Sequence, residues 1–322
     1  MTTVDPSTWR DIKVVEILDG SVKKENGNLM ESADVTCTNY PQNVEQWVRI
    51  WLDAKQGDTS EHVALFTGLA VSPEREINGL SETNSVECYS VLKPADDILL
   101  DRGWYAPEGF KGSALVRQLL AVTPAPIIEE DFSPSLASSI IAEDGETRLT
   151  MAWKILKAID WRLKISGNGI ITICSKPAQP LATFDAIKMD IIEPQLKTSY
   201  DWYDCPNVFR AIEDDLVGIA RDDSANSFLS TVNRGREIWQ EETNCNLSDG
   251  ETVAEYAMRR LKEEQQKETT VSYNRRFIPD ITPLDIVQLH LPAQKIEGIY
   301  EIQSQSIALG YGARVSEEVI KK

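Results

Sequence analysis

From Pro283 to Val319 apolar and polar residues alternate between short breaks at glycine, and a period of two dictates strands. The stretch opens with Pro283-Leu284-Asp285-Ile286-Val287 and continues with Gly298-Ile299-Tyr300-Glu301-Ile302-Gln303-Ser304-Gln305-Ser306-Ile307. It closes with Gly310-Tyr311-Gly312-Ala313-Arg314-Val315-Ser316-Glu317-Glu318-Val319. Successive strand side chains point to opposite faces, so Tyr300, Ile302 and Ser304 are expected to share one face. β-formers bounded by Pro and Gly read as half-buried strands, predicting a small barrel or sandwich at this end.

The first hundred residues carry the same signal. Ile12 to Leu18 is a β-branched run ending at Asp19-Gly20, a hairpin-type pair. Ala33, Val35 and Cys37 alternate with polar neighbours, Trp47 to Leu52 is a further run, and Val63 to Val71 contains Gly68, expected as a bulge. With Val86 to Val91 this makes five or six strands, enough for one small barrel.

Composition shifts near Trp104-Tyr105-Ala106-Pro107-Glu108-Gly109. Gly112 to Ala121 reads as a short helix with Ser113 as N-cap and Leu115, Val116, Leu119 and Leu120 on one face, stopped by Pro124-Ala125-Pro126. Leu149, Ala152, Trp153, Leu156 and Ile159 fall at helical spacing, and Ser166-Gly167-Asn168-Gly169 turns the chain into the strand Ile170 to Cys174. Beyond Asp201 strands are expected from Val208, over Leu216 to Arg221 and over Ile238 to Glu241. A helix over Asp249 to Glu264, capped by Ser248 or Asp249, presents Val253, Ala254, Ala257 and Leu261 as the stripe that docks it on a second barrel.

Several of these pieces occur in a familiar order. Val48-Arg49-Ile50-Trp51 precedes Leu65-Phe66-Thr67-Gly68, Trp153-Lys154-Ile155-Leu156 precedes Gly167-Asn168-Gly169-Ile170, and Asp204-Cys205-Pro206-Asn207-Val208 precedes the terminal Asp285-Ile286-Val287 and Gly298-x-Tyr300-x-Ile302-x-Ser304 strands. Taken in order, the chain resembles the hub proteins of bacteriophage tails and related contractile injection particles. The resemblance implies an α+β fold of two small β-barrels of the tail-tube type with an α+β insertion between them. The expected domains are 1–105, 106–200 and 201–322, the last with a helix at about 249–265.

The family-like positions are Pro206, Asn207, Asp285, Gly298, Tyr300 and Ser304. The implied function is a structural, non-enzymatic hub. Three copies would form a ring joining the sixfold tail tube to the threefold tip. Its expected partners are itself as a homotrimer, a tail tube or distal tail protein, and a central spike or fibre. DNA would only pass through the lumen. No cofactor or metal and no stable membrane binding is expected, and the place is the virion, after synthesis in a bacterial cytoplasm.

Composition bounds the same reading. The 322 residues exceed the usual domain of roughly 100 to 200 residues, so two or three domains are expected. A formal charge of −18 argues against a surface that grips nucleic acid or anionic lipid, through general solubility or a lumen to which DNA does not stick. The N-terminus carries no secretory pattern and no window approaches a membrane span, so a soluble protein is expected. Five scattered cysteines, Cys37, Cys88, Cys174, Cys205 and Cys245, read as buried thiols rather than ligands.

Catalytic chemistry has little to draw on. The two histidines, His62 and His290, lie in an exposed hairpin and a strand. The runs Glu129-Glu130-Asp131 and Glu213-Asp214-Asp215 read as solvated loops, with a divalent-cation site as the minor alternative, and Gly167-Asn168-Gly169 lacks the context of a nucleotide fingerprint. Arg234-Gly235-Arg236 and Arg275-Arg276 are small basic patches better suited to carboxylates than to phosphate. The eight tryptophans are mostly expected in cores, with Trp104 and Trp202, at the domain transitions, as candidate interface residues. A carbohydrate-binding module and a carboxylate-dependent cell-wall hydrolase are the alternatives.

Overall fold

A computed structural model describes the chain except residues 42–43, 57–58, 80, 186–191, 244, 246, 248–249, 267–268, 311 and 313. It is a mixed α+β protein, mostly strands with few helices. The chain divides into two units. The first comprises Met1–Pro177, Arg275–Asp285 and Gln303–Glu317; the second comprises Ala178–Asn274, Ile286–Ile302 and Glu318–Lys322.

In the first unit the opening strands are β1 (Thr2–Val4), β2 (Asp11–Val14), β3 (Ile17–Glu25), β4 (Glu31–Cys37), β5 (Gln46–Gln56), β6 (Thr59–Asn78) and β7 (Ser81–Ser90). They form an antiparallel sheet in the order β3-β4-β7-β6-β5-β1-β2, and β3 also pairs with Ser304 to Leu309. The expected alternation in β4 holds: Glu31, Ala33, Val35 and Cys37 are buried while Asp34 is exposed. Val22, Val35, Val48, Ile50, Phe66, Val86, Cys88, Ile307 and Val315 make the core, each large side chain worth about 2 kcal/mol of burial.

Two turn signals prove to be something else. Asp19-Gly20 lies inside β3, where the register shifts between Ile17 and Asp19, so it marks an irregular strand and not a hairpin. The preceding run breaks at Val15, whose amide bonds the Met1 carbonyl at 2.8 Å. Gly68 is in regular pairing with Val48 and Ser90, and the extra residues of β6 are Leu65 and Val71. Glycine is needed at 68 for space: a Cβ there would sit 2.2 Å from the Tyr89 carbonyl oxygen.

The same unit contains α1 (Lys93–Asp96), β8 (Tyr105–Ala106), α2 (Gly112–Leu120), β9 (Ile127–Glu129), β10 (Ile140–Ile141), α3 (Arg148–Ala158), β11 (Trp161–Ile165) and β12 (Ile171–Ser175). β12 is central in a three-stranded sheet, antiparallel to β11 and parallel to β9. The apolar faces of α2 and α3 share a core with Leu163, Ile165, Ile171 and Ile173. Thr147 and Thr150 form a capping box on α3, each side chain accepting from the other's amide at 3.1 and 3.0 Å. Ser113 does not cap α2. It sits in the first turn, where the Ser133 hydroxyl accepts its amide at 3.0 Å and its own hydroxyl donates to Glu129 at 2.8 Å.

The second unit contains β13 (Ala182–Asp185), β14 (Ile192–Tyr200), β15 (Val208–Glu213), β16 (Leu216–Arg221), α4 (Thr231–Arg234), β17 (Trp239–Thr243) and α5 (Val253–Gln266). After these come β18 (Thr269–Arg276), β19 (Ile286–Leu291), β20 (Ile296–Leu309) and β21 (Arg314–Lys321), of which β18, β20 and β21 are shared between the two units. β19 pairs in parallel with β13 and antiparallel with β20. Tyr300 and Ile302 are buried as expected, but Ser304 is only half-buried, and the buried positions resume at Gln305 and Ile307. The phase changes where β20 ends its pairing with β19 at Glu301 and begins its pairing with β3 at Ser304.

α5 begins later than the sequence suggests. Ser248 and Asp249 lie outside the described residues, and Thr252 and Glu255 form the capping box, with bonds of 3.3 and 2.9 Å. Its buried stripe is Val253, Tyr256, Ala257 and Leu261, whereas Ala254 is exposed. The stripe packs with Phe209, Ala211 and Ala220 on a separate three-stranded sheet, β16-β15-β17.

Candidate docking surface

Loops at one end of the β16-β15-β17 sheet hold the most distinctive surface feature of the second unit. β15 and β17 run parallel and β16 antiparallel to both, so the segments before β15, after β16 and before β17 emerge together. Asn207 locks them. Its side-chain amide donates to the Leu229 and Arg236 carbonyls at 3.2 and 3.0 Å and accepts the Ile238 amide at 2.7 Å. Its own carbonyl accepts from the Asp222 amide at 2.9 Å. Fully buried and bonded throughout, Asn207 is a structural clamp. The neighbouring Pro206 carbonyl accepts from Gln265 of α5 at 3.3 Å.

Arg234, expected as part of a basic patch, is turned inward. Its guanidinium donates to the Trp202 carbonyl and, at 2.8 Å, to that of Cys205. The Asp201 carboxylate accepts the Tyr203 and Asp204 amides at 3.1 and 3.2 Å, shaping the turn that carries the aromatics outward. The result is an aromatic crest. Trp202 lies 5.7 Å from Tyr200 and 5.1 Å from Phe228 between ring centroids, with planes tilted by 33° and 56°. Tyr200, Trp202, Tyr203 and Phe228 are 57%, 47%, 78% and 57% exposed, far more than large aromatics in a packed core.

The sequence singles out Trp202, Pro206 and Asn207 but not Tyr200, Tyr203, Phe228 or Arg234. The spacing Tyr200-Asp201-Trp202-Tyr203-Asp204 is the local signal for the first two; Phe228 and Arg234 reach the site through the fold. The remaining positions lie elsewhere. Trp104 is half-buried against the α2 and α3 core. Gly298 pairs with Leu289 and Tyr300 with Val287, while Ser304 pairs with Glu25.

Asp285 is an ion anchor within the first unit. Fully buried, it accepts from Arg162 at 2.7 Å, Lys164 at 3.1 Å and the Thr282 amide at 2.9 Å. Arg275, the other expected basic patch, is buried and pairs through two nitrogens with Glu317 at 3.0 and 2.7 Å, and Gln305 donates to the same carboxylate at 2.6 Å. Glu31, buried beside Lys24 at 3.4 Å, is pushed up to about 7 by desolvation.

The sites weighed for catalysis are also placed. His62 is exposed, stacked on Trp51 and 2.6 Å from Asp53, and His290 faces Glu297 at 3.5 Å. Glu129 is not in a solvated loop; it ends β9 and pairs with Lys111 at 2.9 Å, which with the Ser113 bond holds its carboxyl below the ordinary range. Glu213 ends β15, and burial raises its carboxyl. All five cysteines are buried. Of the tryptophans only Trp161 is buried in a core; Trp9, Trp47, Trp104 and Trp153 pack against it half-exposed.

A cleft of the first unit is lined by Lys24, Ala64, Lys164, Gly167, Phe277, Asp280 and Gln305 among others, with Asp280 its one carboxylate among the described residues. One wall is the Ser166 to Gly169 turn. Gly167 admits no side chain, since a Cβ would lie 1.7 Å from the Ala64 carbonyl oxygen.

No protein-family model and no curated protein matches the chain. Solved structures do match. A tail protein from Neisseria meningitidis MC58 aligns over 97% of this chain and 94% of its own, at 12% identity and a TM-score of 0.71. The 43 kDa tail protein of prophage MuSo2 from Shewanella oneidensis aligns over 95% and 94%, at 13% identity and a TM-score of 0.65. The E. coli c3393 protein, a component of the type VI secretion system with structural similarity to the T4 bacteriophage tail proteins gp27 and gp5, aligns over 96% and 74%, at 10% identity and a TM-score of 0.58. At such identities the likeness is one of fold, and it extends over nearly the whole chain. The motifs at the two ends of the sequence thus resemble what the backbone is: this chain has the fold of bacteriophage tail proteins.

Proposed function

We propose that this chain is the structural hub of a bacteriophage tail or phage-derived particle, and not an enzyme. Three copies close a ring that joins the sixfold tail tube to the threefold tip or spike. Residues 1–105 and 201–322 act as its two barrels, and 106–200 as the insertion between them. Heterologous contacts repeated around a threefold axis generate such a ring, with strand edges covered at each joint. The partners are the tail tube or distal tail protein on one side and a spike or fibre on the other. Within the virion the acidic chain, at −18, lets DNA pass without holding it.

The observation that carries this reading is the match to tail proteins over nearly the full length of both chains. Light scattering over a range of concentrations tests it. A species of about 108 kDa, three times the chain's 36.1 kDa, is expected. A mass that stays at one chain, both alone and with a tail-tube partner added, would overturn the ring. Cell-wall solubilisation that survives purification and disappears on substituting one carboxylate would overturn the non-enzymatic part.

A further inference from the structure

We propose that the Trp202 crest is a docking site for a cationic protein segment, one that places an arginine or lysine side chain against the exposed faces of Tyr200, Trp202 and Phe228. This rests on the reading that the chain works by docking other proteins, and it adds the chemistry of one partner.

The loops 200–207 and 222–233 contain Asp201, Asp204, Asp222 and Asp223 and no Lys, Arg or His. None of these four carboxylates makes an ion pair among the described residues. Asp201 accepts backbone amides, Asp222 accepts from Ser227 and Gln265, and Asp223 accepts from Thr231. The Arg234 guanidinium donates to two backbone carbonyls below the crest, so one positive charge stands against the four carboxylates of these loops. Negative charge therefore surrounds exposed aromatic rings whose own faces are electron-rich, and a cation over such a ring gains about 0.5 to 2 kcal/mol.

Geometry narrows the occupant further. A polysaccharide stacks its flat sugar faces on a level platform, whereas the contacting rings here are tilted by 33° and 56° and share no common plane. The crest is acidic, so a cationic segment gains a local charge complementarity there that an acidic surface does not. A central tryptophan flanked by two aromatics, on loops clamped from beneath by Asn207 and Arg234, has the rigid, Trp-centred form of an interface hot spot.

The test uses the full chain and three 12-residue peptides that share their apolar positions and carry Arg, Gln or Glu at the others, with chitohexaose as a saccharide probe. Affinities are read by calorimetry, and the indole N–H signal of Trp202 by NMR. The Arg peptide is expected to bind about tenfold or more tighter than the Gln peptide, to shift the Trp202 signal and to weaken with added salt. Trp202→Ala, and separately the double change Asp201→Asn with Asp204→Asn, should each weaken it about tenfold.

Tyr203→Ala supplies a second variant at a highly exposed side chain, expected to weaken binding with an unchanged unfolding midpoint. Equal affinity for Arg and Glu peptides, binding indifferent to Trp202→Ala, binding of chitohexaose alone, or no binding of any probe would each overturn the proposal. The affinity is read per chain whatever the native mass, so a failed ring and a failed crest give different results.

Discussion

The two three-stranded sheets are built alike and finished differently. In β11-β12-β9 and in β16-β15-β17 the central strand has one antiparallel and one parallel neighbour. Each has one face covered by helix, and the covering helices α3 and α5 both start at a threonine capping box. The second faces diverge. On β11, Arg162 is buried and Lys164 half-buried, both held by Asp285. On the other sheet Val217, Ile219 and Trp239 are 59%, 53% and 47% exposed, beside an Arg210–Glu241 pair at the surface. A helix against one face thus says nothing about what the opposite face meets. Charge is buried where a carboxylate waits for it, and apolar side chains are left exposed where none of the described residues covers them.

The largest test of this contrast is Asp285→Ala, which would strand the Arg162 guanidinium in the interior. A loss of about 3 to 5 kcal/mol is expected. Glu241→Ala, which breaks the exposed pair on the other sheet, should cost only about 0 to 1 kcal/mol. Urea titrations of both variants give the two numbers, and equal losses would mean that the second faces are energetically the same.

The helix-covered halves should behave alike instead. Thr147→Ala and Thr252→Ala each remove one capping box, and each is expected to cost about 1 kcal/mol. A far larger loss at Thr147 would show that α3 is held by its cap and α5 by its packing, adding a second difference between the sheets. The same urea midpoints read both.

How much of this was legible in the sequence follows the range of each interaction. Strands and helices announce themselves through local periodicity, and β4, β5, β16 and α3 are where that periodicity puts them. Asp285 stands out as a motif position, yet its role depends on Arg162 and Lys164 more than 120 positions away, which no local pattern carries. Gly68 looks like a bulge residue because glycine serves equally for a bulge and for a close backbone approach; only the facing strand decides. The pattern Thr252-Val253-Ala254-Glu255 is readable by itself, but Ser248 and Asp249 offer the same capping chemistry just upstream. At the docking surface the Tyr200 to Asp204 spacing is local, whereas the clamp that exposes it runs from Asn207 to Leu229, Arg236 and Ile238.

The smallest expected effect bears most directly on the open face. Ile219 is flanked in the ladder by Arg210, and the adjoining Gly218 lies tight beneath α5, where a Cβ would come within 2.3 Å of the Val253 carbonyl oxygen. The strand is therefore fixed by its helix side and not by Ile219. Ile219→Ser should lower the unfolding free energy by no more than about 0.5 kcal/mol, the usual range for a substitution at an exposed position. A loss of about 2 kcal/mol or more would mean that this isoleucine is removed from water in solution. The face would then be covered, and the two sheets would differ in what covers them and not in whether they are covered.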